Sequence, residues 1–199
     1  GLLAMTYKYV NRMQEAQKKL AEQTGLTKQY TDSILKSSTY LAKTQGQLGV
    51  TVEKASEAYA DLYEQFGNVS FLTQKSAENV ALLSSNLLMS TKDGAKLVDI
   101  YKSMGNATDE QQRNMLNSVI YASKLGGVSP KKILDDMAKS SAIIAKYFRG
   151  SIKDIQLAAF SLAKMGSSIE QAGKQADALL DWDKNIEAEL NASVLMGRA

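Results

Sequence analysis

An all-α fold is predicted by three observations. Apolar residues return every three or four positions, with no β-branched run alternating at period two. Glycine followed by a helix-capping hydroxyl recurs, as in Leu48-Gly49-Val50-Thr51, Gly127-Val128-Ser129-Pro130, Gly150-Ser151 and Gly166-Ser167-Ser168. The one proline, Pro130, stands just after a serine cap, where a helix tolerates it. Spacings of three and four line one stripe of a helix, and an apolar stripe has to be buried against a neighbour. The expected architecture is an array of about nine short-to-medium amphipathic helices, bundle- or solenoid-like.

The first helix is expected from Leu2 to Glu22, with Leu3, Val10, Met13 and Leu20 on one side and Gly25 as its stop. The second spans Lys28 to Lys43 and turns Tyr30, Ile34 and Leu41 inward. Thr51 caps a third, in which Val52, Ala55, Tyr59, Leu62 and Phe66 follow at steps of 3, 4, 3 and 4, before Gly67. Ser70 is read as the cap of a fourth helix from Phe71 to Ser90, and a fifth is placed at Asp93 to Met104, ended by Gly105. Thr108 and Gln111 form a capping-box pair for a sixth, which stops at Gly126-Gly127. Ser129-Pro130 opens a seventh, with Ile133, Met137, Ile144 and Phe148 on one face and a break at Ser141. Ser151 caps an eighth through Lys164. Ser168 with Gln171 reads as a second capping box, opening a ninth helix that runs to the chain end with Leu179, Trp182, Ile186, Leu190 and Val194.

Short linkers favour antiparallel neighbours. The cleanest division falls at Gly46–Gly49, giving a helical arm or hairpin over 1–46 and a helical domain over 47–199 that is expected to continue beyond Ala199. A start at Gly1 without an initiator methionine agrees with a piece of a longer protein. No fixed period repeats cleanly enough for a named repeat family.

Composition removes most enzyme chemistry. There is no histidine and no cysteine, so Ser-His-Asp and Cys-His arrangements and zinc sites built from Cys or His are ruled out. Carboxylate chemistry stays open in principle. Asp135 and Asp136 are adjacent, however, and neighbours on a helix do not converge. Asp183 and Glu187 share a face as part of an acidic cluster with Asp181 and Glu189, the pattern of a solvated face. No glycine-rich segment has the phosphate-binding spacing. The expectation is a non-enzyme with no catalytic residue, cofactor or metal ligand. Net charge is +3, with Lys and Arg dispersed among Asp and Glu, so no nucleic-acid site is evident. The longest uncharged run, Asn79 to Thr91, is thirteen residues and polar in six, short of the roughly 20 apolar residues a membrane span needs. Trp182 fits either a packed core or a partner's surface. Trp182, Ile186, Leu190 and Val194 are the candidate partner interface.

Three stretches resemble the tape-measure family of tailed bacteriophages. Leu125-Gly126-Gly127-Val128-Ser129-Pro130-Lys131-Lys132 resembles an LGVSP-type helix start of that group, and Leu48-Gly49-Val50-Thr51 is of the same kind. The run from Ala178 to Arg198 is similar to the family stretch LLDFxxxIEAELxASVLxGR, with Trp182 where the family usually has Phe. The resemblance implies a structural tail component that sets tail length and is released during DNA delivery. It implies location in the virion, in the tail interior or tail tip, after synthesis in the host cytoplasm. The implied partners are other phage tail proteins of the tube, baseplate or tail tip, and the implied assembly is a homo-oligomer, possibly a trimer. The competing expectation is a helical protein-interaction or scaffold module of another virion or cellular assembly.

Overall fold

Hydroxyl side chains set the helix starts. Thr51, Thr73, Ser90, Thr108, Ser129 and Ser151 each accept a hydrogen bond from the backbone amide three residues on, which satisfies one of the free donors of a first turn. The computed structural model describes residues 2–148 and 151–178. Among these residues there are ten α-helices and no strand, the all-α fold expected. They are α1 (Leu2–Thr24), α2 (Lys28–Gln45), α3 (Val52–Phe66), α4 (Gln74–Leu87), α5 (Thr91–Gly105), α6 (Asp109–Leu125), α7 (Pro130–Lys139), α8 (Ser141–Tyr147), α9 (Ile152–Lys164) and α10 (169–178).

Several boundaries differ from the sequence reading. The cap of α4 is Thr73; Ser70 lies instead in a 3₁₀ turn, Val69–Phe71, begun by the Asn68 side chain. Helix α5 starts earlier, with Ser90 as its cap, and ends on Asn106 in the left-handed region at φ 46°, past Gly105. The expected seventh helix breaks at Ser140, and its two pieces, α7 and α8, raise the total to ten. Thr108 and Gln111 close their capping box, with bonds of 2.9 and 3.3 Å. At α10, Ser168 accepts from the Gln171 amide, but the Gln171 side chain takes the Ser167 hydroxyl, so the box is half made. The second complete box forms at α9, between Ser151 and Asp154. At the end of α3, Gly67 adopts φ 64° and donates back to the Tyr63 carbonyl at 2.7 Å, a position that disfavours any side chain.

The principal contacts join helices one or two places apart in the chain. Helices α1, α3, α5, α7 and α9 lie each against the next, while α2 and α4 pack alongside their odd-numbered neighbours and α6 lies against α4, α7 and α9. This is the arrangement of a helical solenoid, in which each element leans mainly on those nearest to it in sequence. Two apolar cores run through it. Leu20, Ile34, Leu41, Ala55, Tyr59, Leu62 and Val80 belong to the first, so α1 and α2 share a core with α3 and α4. Leu116, Ile133, Met137, Ile144, Ile155 and Ile169 belong to the second. Helix α5 serves both: Ala95 and Val98 face the first core, and Leu97, Ile100 and Tyr101 face the second.

Leu97 is fully buried in the shared helix. Leu97→Ala is expected to cost about 2–5 kcal/mol in urea denaturation, the range for deleting a core leucine. Amide exchange should quicken in both α3 and α7; an effect confined to one half would show that the two cores are not coupled through α5.

Candidate functional site

The densest polar cluster lies where α3 ends, α4 and α6 begin and α5 finishes. Asp109 opens α6, and its carboxylate accepts from the Thr73 hydroxyl at 2.7 Å and the Ser76 hydroxyl at 2.8 Å, both at the start of α4. Lys102, one turn before the end of α5, stands 3.4 Å from the same carboxylate and donates to the Ser76 oxygen at 3.0 Å. The Asn79 amide donates to the Asp109 carbonyl at 3.1 Å. The rings of Phe66 and Phe71 stack at 5.0 Å and cover the ammonium, whose Nζ is 5.6 and 5.8 Å from their centres. A cation over aromatic faces is attracted by their quadrupoles.

These contacts decide the charge state of Asp109. Burial alone would push its carboxyl upward. The hydrogen bonds from Thr73 and Ser76, together with the neighbouring Lys102 charge, outweigh burial and hold it below the usual carboxylate range. Serine beside lysine is a pairing that some hydrolases use. Here the Ser76 hydroxyl donates a hydrogen bond to a carboxylate, and Ser76 is 0% exposed, so it presents no nucleophile at the surface. The cluster's chemistry is that of a tie between three helices. Asp61 in α3 shows the opposite balance. Burial raises its carboxyl, Glu57 and Glu64 add to this, and a hydrogen bond from Thr91 with the Lys92 charge only partly offsets them.

Other buried polar groups also join helices. The Gln156 amide donates to the Tyr101 hydroxyl at 2.9 Å and to the Met115 carbonyl at 3.3 Å, linking α9 to α5 and α6. Tyr101 is fully buried, and desolvation pushes its phenol up to about 12. Glu78 in α4 accepts from Gln45 at 2.9 Å and pairs with Arg113 at 3.0 Å, linking α2, α4 and α6. Asp135 and Asp136 diverge as helix neighbours must: Asp135 pairs with Lys131, and Asp136 accepts from the Ile169 amide at 2.8 Å, capping α10. Lys146 and Tyr147 both donate to Asp177. The groove between α1 and α3, about 190 Å³, is lined by Arg12, Lys19, Glu15, Glu53 and Glu57, and Lys19 pairs with Glu57 at 3.9 Å. Among the described residues no group of three acidic side chains is placed to hold a metal ion, and no helix is long and apolar enough to cross a membrane.

The candidate interface residues Trp182, Ile186, Leu190 and Val194 lie outside the described residues, as do Asp181, Asp183, Glu187 and Glu189. A surface that the sequence reading missed is the outer edge of α6 and α9, where Tyr121, Leu125, Leu157 and Met165 are all exposed. Leu125 and Met165 are each 72% exposed. The chain was compared with known protein families, with curated proteins and with solved structures, and none matched.

The two perturbed carboxyls give opposite signs. A lowered folded-state pKa adds stability above the unfolded value and loses it as pH falls through the folded one. Asp109→Asn is therefore expected to lower the urea midpoint at pH 7, with the deficit closing below about pH 4, near the unfolded carboxyl value. A raised pKa costs stability once the group ionises, so Asp61→Asn should raise the thermal midpoint at pH 7 and give no gain near pH 3. Equal effects of either substitution at both pH values would refute these assignments.

Proposed function

We propose that this chain is a structural segment of a bacteriophage tail, of the tape-measure type that sets tail length and leaves during DNA delivery. The observation that carries the proposal is the run from Ala178 to Arg198, with its likeness to the family stretch. The fold supports it on physical grounds. A protein that leaves through a narrow tube has to come apart in small steps, and helices held mainly by their chain neighbours can do so. Absence of cysteine means that no covalent link resists unthreading. The buried polar clusters serve as ties between helices, in keeping with an assembly role in place of an enzymatic one. In this reading the partners are tail tube, baseplate or tail-tip proteins, and Trp182, Ile186, Leu190 and Val194 face one of them or a sister subunit.

An antiserum against residues 1–178 is expected to label the tails of phage particles from the source of this sequence. Mass spectrometry of purified virions should recover its peptides. Their absence from intact virions sinks the proposal. In single-molecule stretching, the helices from Val52 onward should yield in successive low-force steps; one large rupture at high force contradicts the unthreading argument.

A further inference from the structure

The outer edge of α6 and α9 is built as a receiving surface. At its centre Gly126 lies so close to Phe160 that an added Cβ would stand 2.4 Å from the ring's Cζ, so the backbone end of α6 sits directly on α9. Leu125 immediately precedes this contact. Leu157 stands one turn before Phe160 on α9 and Met165 just beyond the helix end. Leu125, Leu157 and Met165 are exposed, and Phe160 is half-buried between them. Past Asp154, which is itself exposed, the charged side chains of this edge are cations. Lys153 and Lys164 are exposed on α9, with the Lys164 ammonium 5.6 Å from the Phe160 ring centre. There is no acidic side chain on α6 after Glu110 or on α9 after Asp154. Exposed apolar side chains gathered beside cations mark an interaction site that takes an acidic, amphipathic partner.

One segment of this chain has that chemistry. Residues 179–198 carry Trp182, Ile186, Leu190 and Val194 at steps of four, which is one face of a helix. Four carboxylates, Asp181, Asp183, Glu187 and Glu189, stand among them against Lys184 and Arg198, in a chain whose net charge is +3. The described chain ends at the opposite end of α9 from Leu125 and Met165. Asp177 accepts from Lys146 and Tyr147, which places the last turn of α10 beside the end of α8, just ahead of the start of α9. Met165 and Leu125 are at the far end of α9.

We propose that the α6–α9 edge of one copy receives residues 179–198 of a second copy. The contact is heterologous: surface and segment are different patches of the same chain, so copies join head to tail and close into a ring or continue as a row. This goes beyond the tail assignment and stands or falls without it, because it concerns the isolated chain in solution.

The test uses two variants of the full chain, each checked for unchanged helix content and thermal midpoint. Leu125→Asp with Met165→Asp spoils the receiving edge, and Trp182→Ala with Ile186→Asp spoils the segment. The parent should gain mass with concentration in sedimentation, and each variant should associate at least about thirtyfold more weakly, the effect of losing a strong anchor. Mixed together, the two variants should form a one-to-one pair, since each retains the half that the other lacks. Lys164→Glu should weaken the parent's association most at low salt and be rescued by Glu187→Lys or Asp183→Lys. A monomeric parent at all concentrations overturns the proposal. So do variants that associate like the parent, or an associating parent whose variants fail to complement in the mixture. A receiving-edge variant that keeps the parent's mass but loses binding to vesicles of phosphatidylglycerol and phosphatidylcholine assigns the edge to an anionic membrane instead.

Discussion

Helix α5 is the constraint on which the rest of the structure depends. Most amphipathic helices bury one stripe and give the other to water. This one buries Ala95 and Val98 on one side and Leu97, Ile100 and Tyr101 on another. Its neighbours α3, α4 and α7 can take their places only because α5 offers apolar surface to each. Gly94 contributes to this. A Cβ there would lie 3.1 Å from Val80 Cγ1 and 3.6 Å from Val80 Cα, so its absence lets α4 and α5 approach closely. A glycine inside a helix costs about 1 kcal/mol relative to alanine, and the close packing of the two helices offsets that cost.

The polar ties follow from the same geometry. Two cores that meet along one helix leave seams at its ends, where helix termini bring unpaired backbone groups and charges together. The Asp109 cluster fills the seam where α5 ends and α4 and α6 begin, and the Gln156–Tyr101 bond crosses another. Each of these groups would be costly to bury alone and is tolerable in company. Their placement explains how this chain can hold a serine, a lysine and an aspartate within hydrogen-bonding reach with the serine fully buried. The outer edge of α6 and α9 is the complement. Its apolar side chains have no partner helix among the described residues, and the chemistry of the molecule is directed outward there.

Much of the fold was legible in the sequence, because helix caps are local. Thr51, Thr108 with Gln111, Ser129-Pro130 and Ser151 all cap where the pattern placed them, each bond closing over three residues. The misplaced starts occur where hydroxyls crowd. Ser70 and Thr73 both precede the apolar run of α4, and only the turn made by Asn68 decides between them. Ser90 and Thr91 hid the start of α5 in the same way. Gly105 was an attractive stop, yet Asn106 also tolerates the left-handed region and ends the helix. The Asp109 cluster was not legible at all, since its hydrogen bonds through Thr73 and Ser76 join residues 26 to 36 apart and no spacing rule relates them. The exposed edge escaped for a related reason. The exposure of Leu125 and Leu157 is set by how α6 and α9 pack in the folded chain, which no local pattern reports.

The succession α1, α3, α5, α7, α9 has a consequence for how the protein is made. A ribosome releases the chain from its N-terminus at roughly 5–20 residues per second. Each odd-numbered helix emerges onto a surface that its predecessor has already formed, and the first core is complete once α5 appears. Folding can therefore keep pace with translation, with no early segment left waiting for a distant partner. A nascent polypeptide of this design hides its first core from chaperones while the rest is still being made.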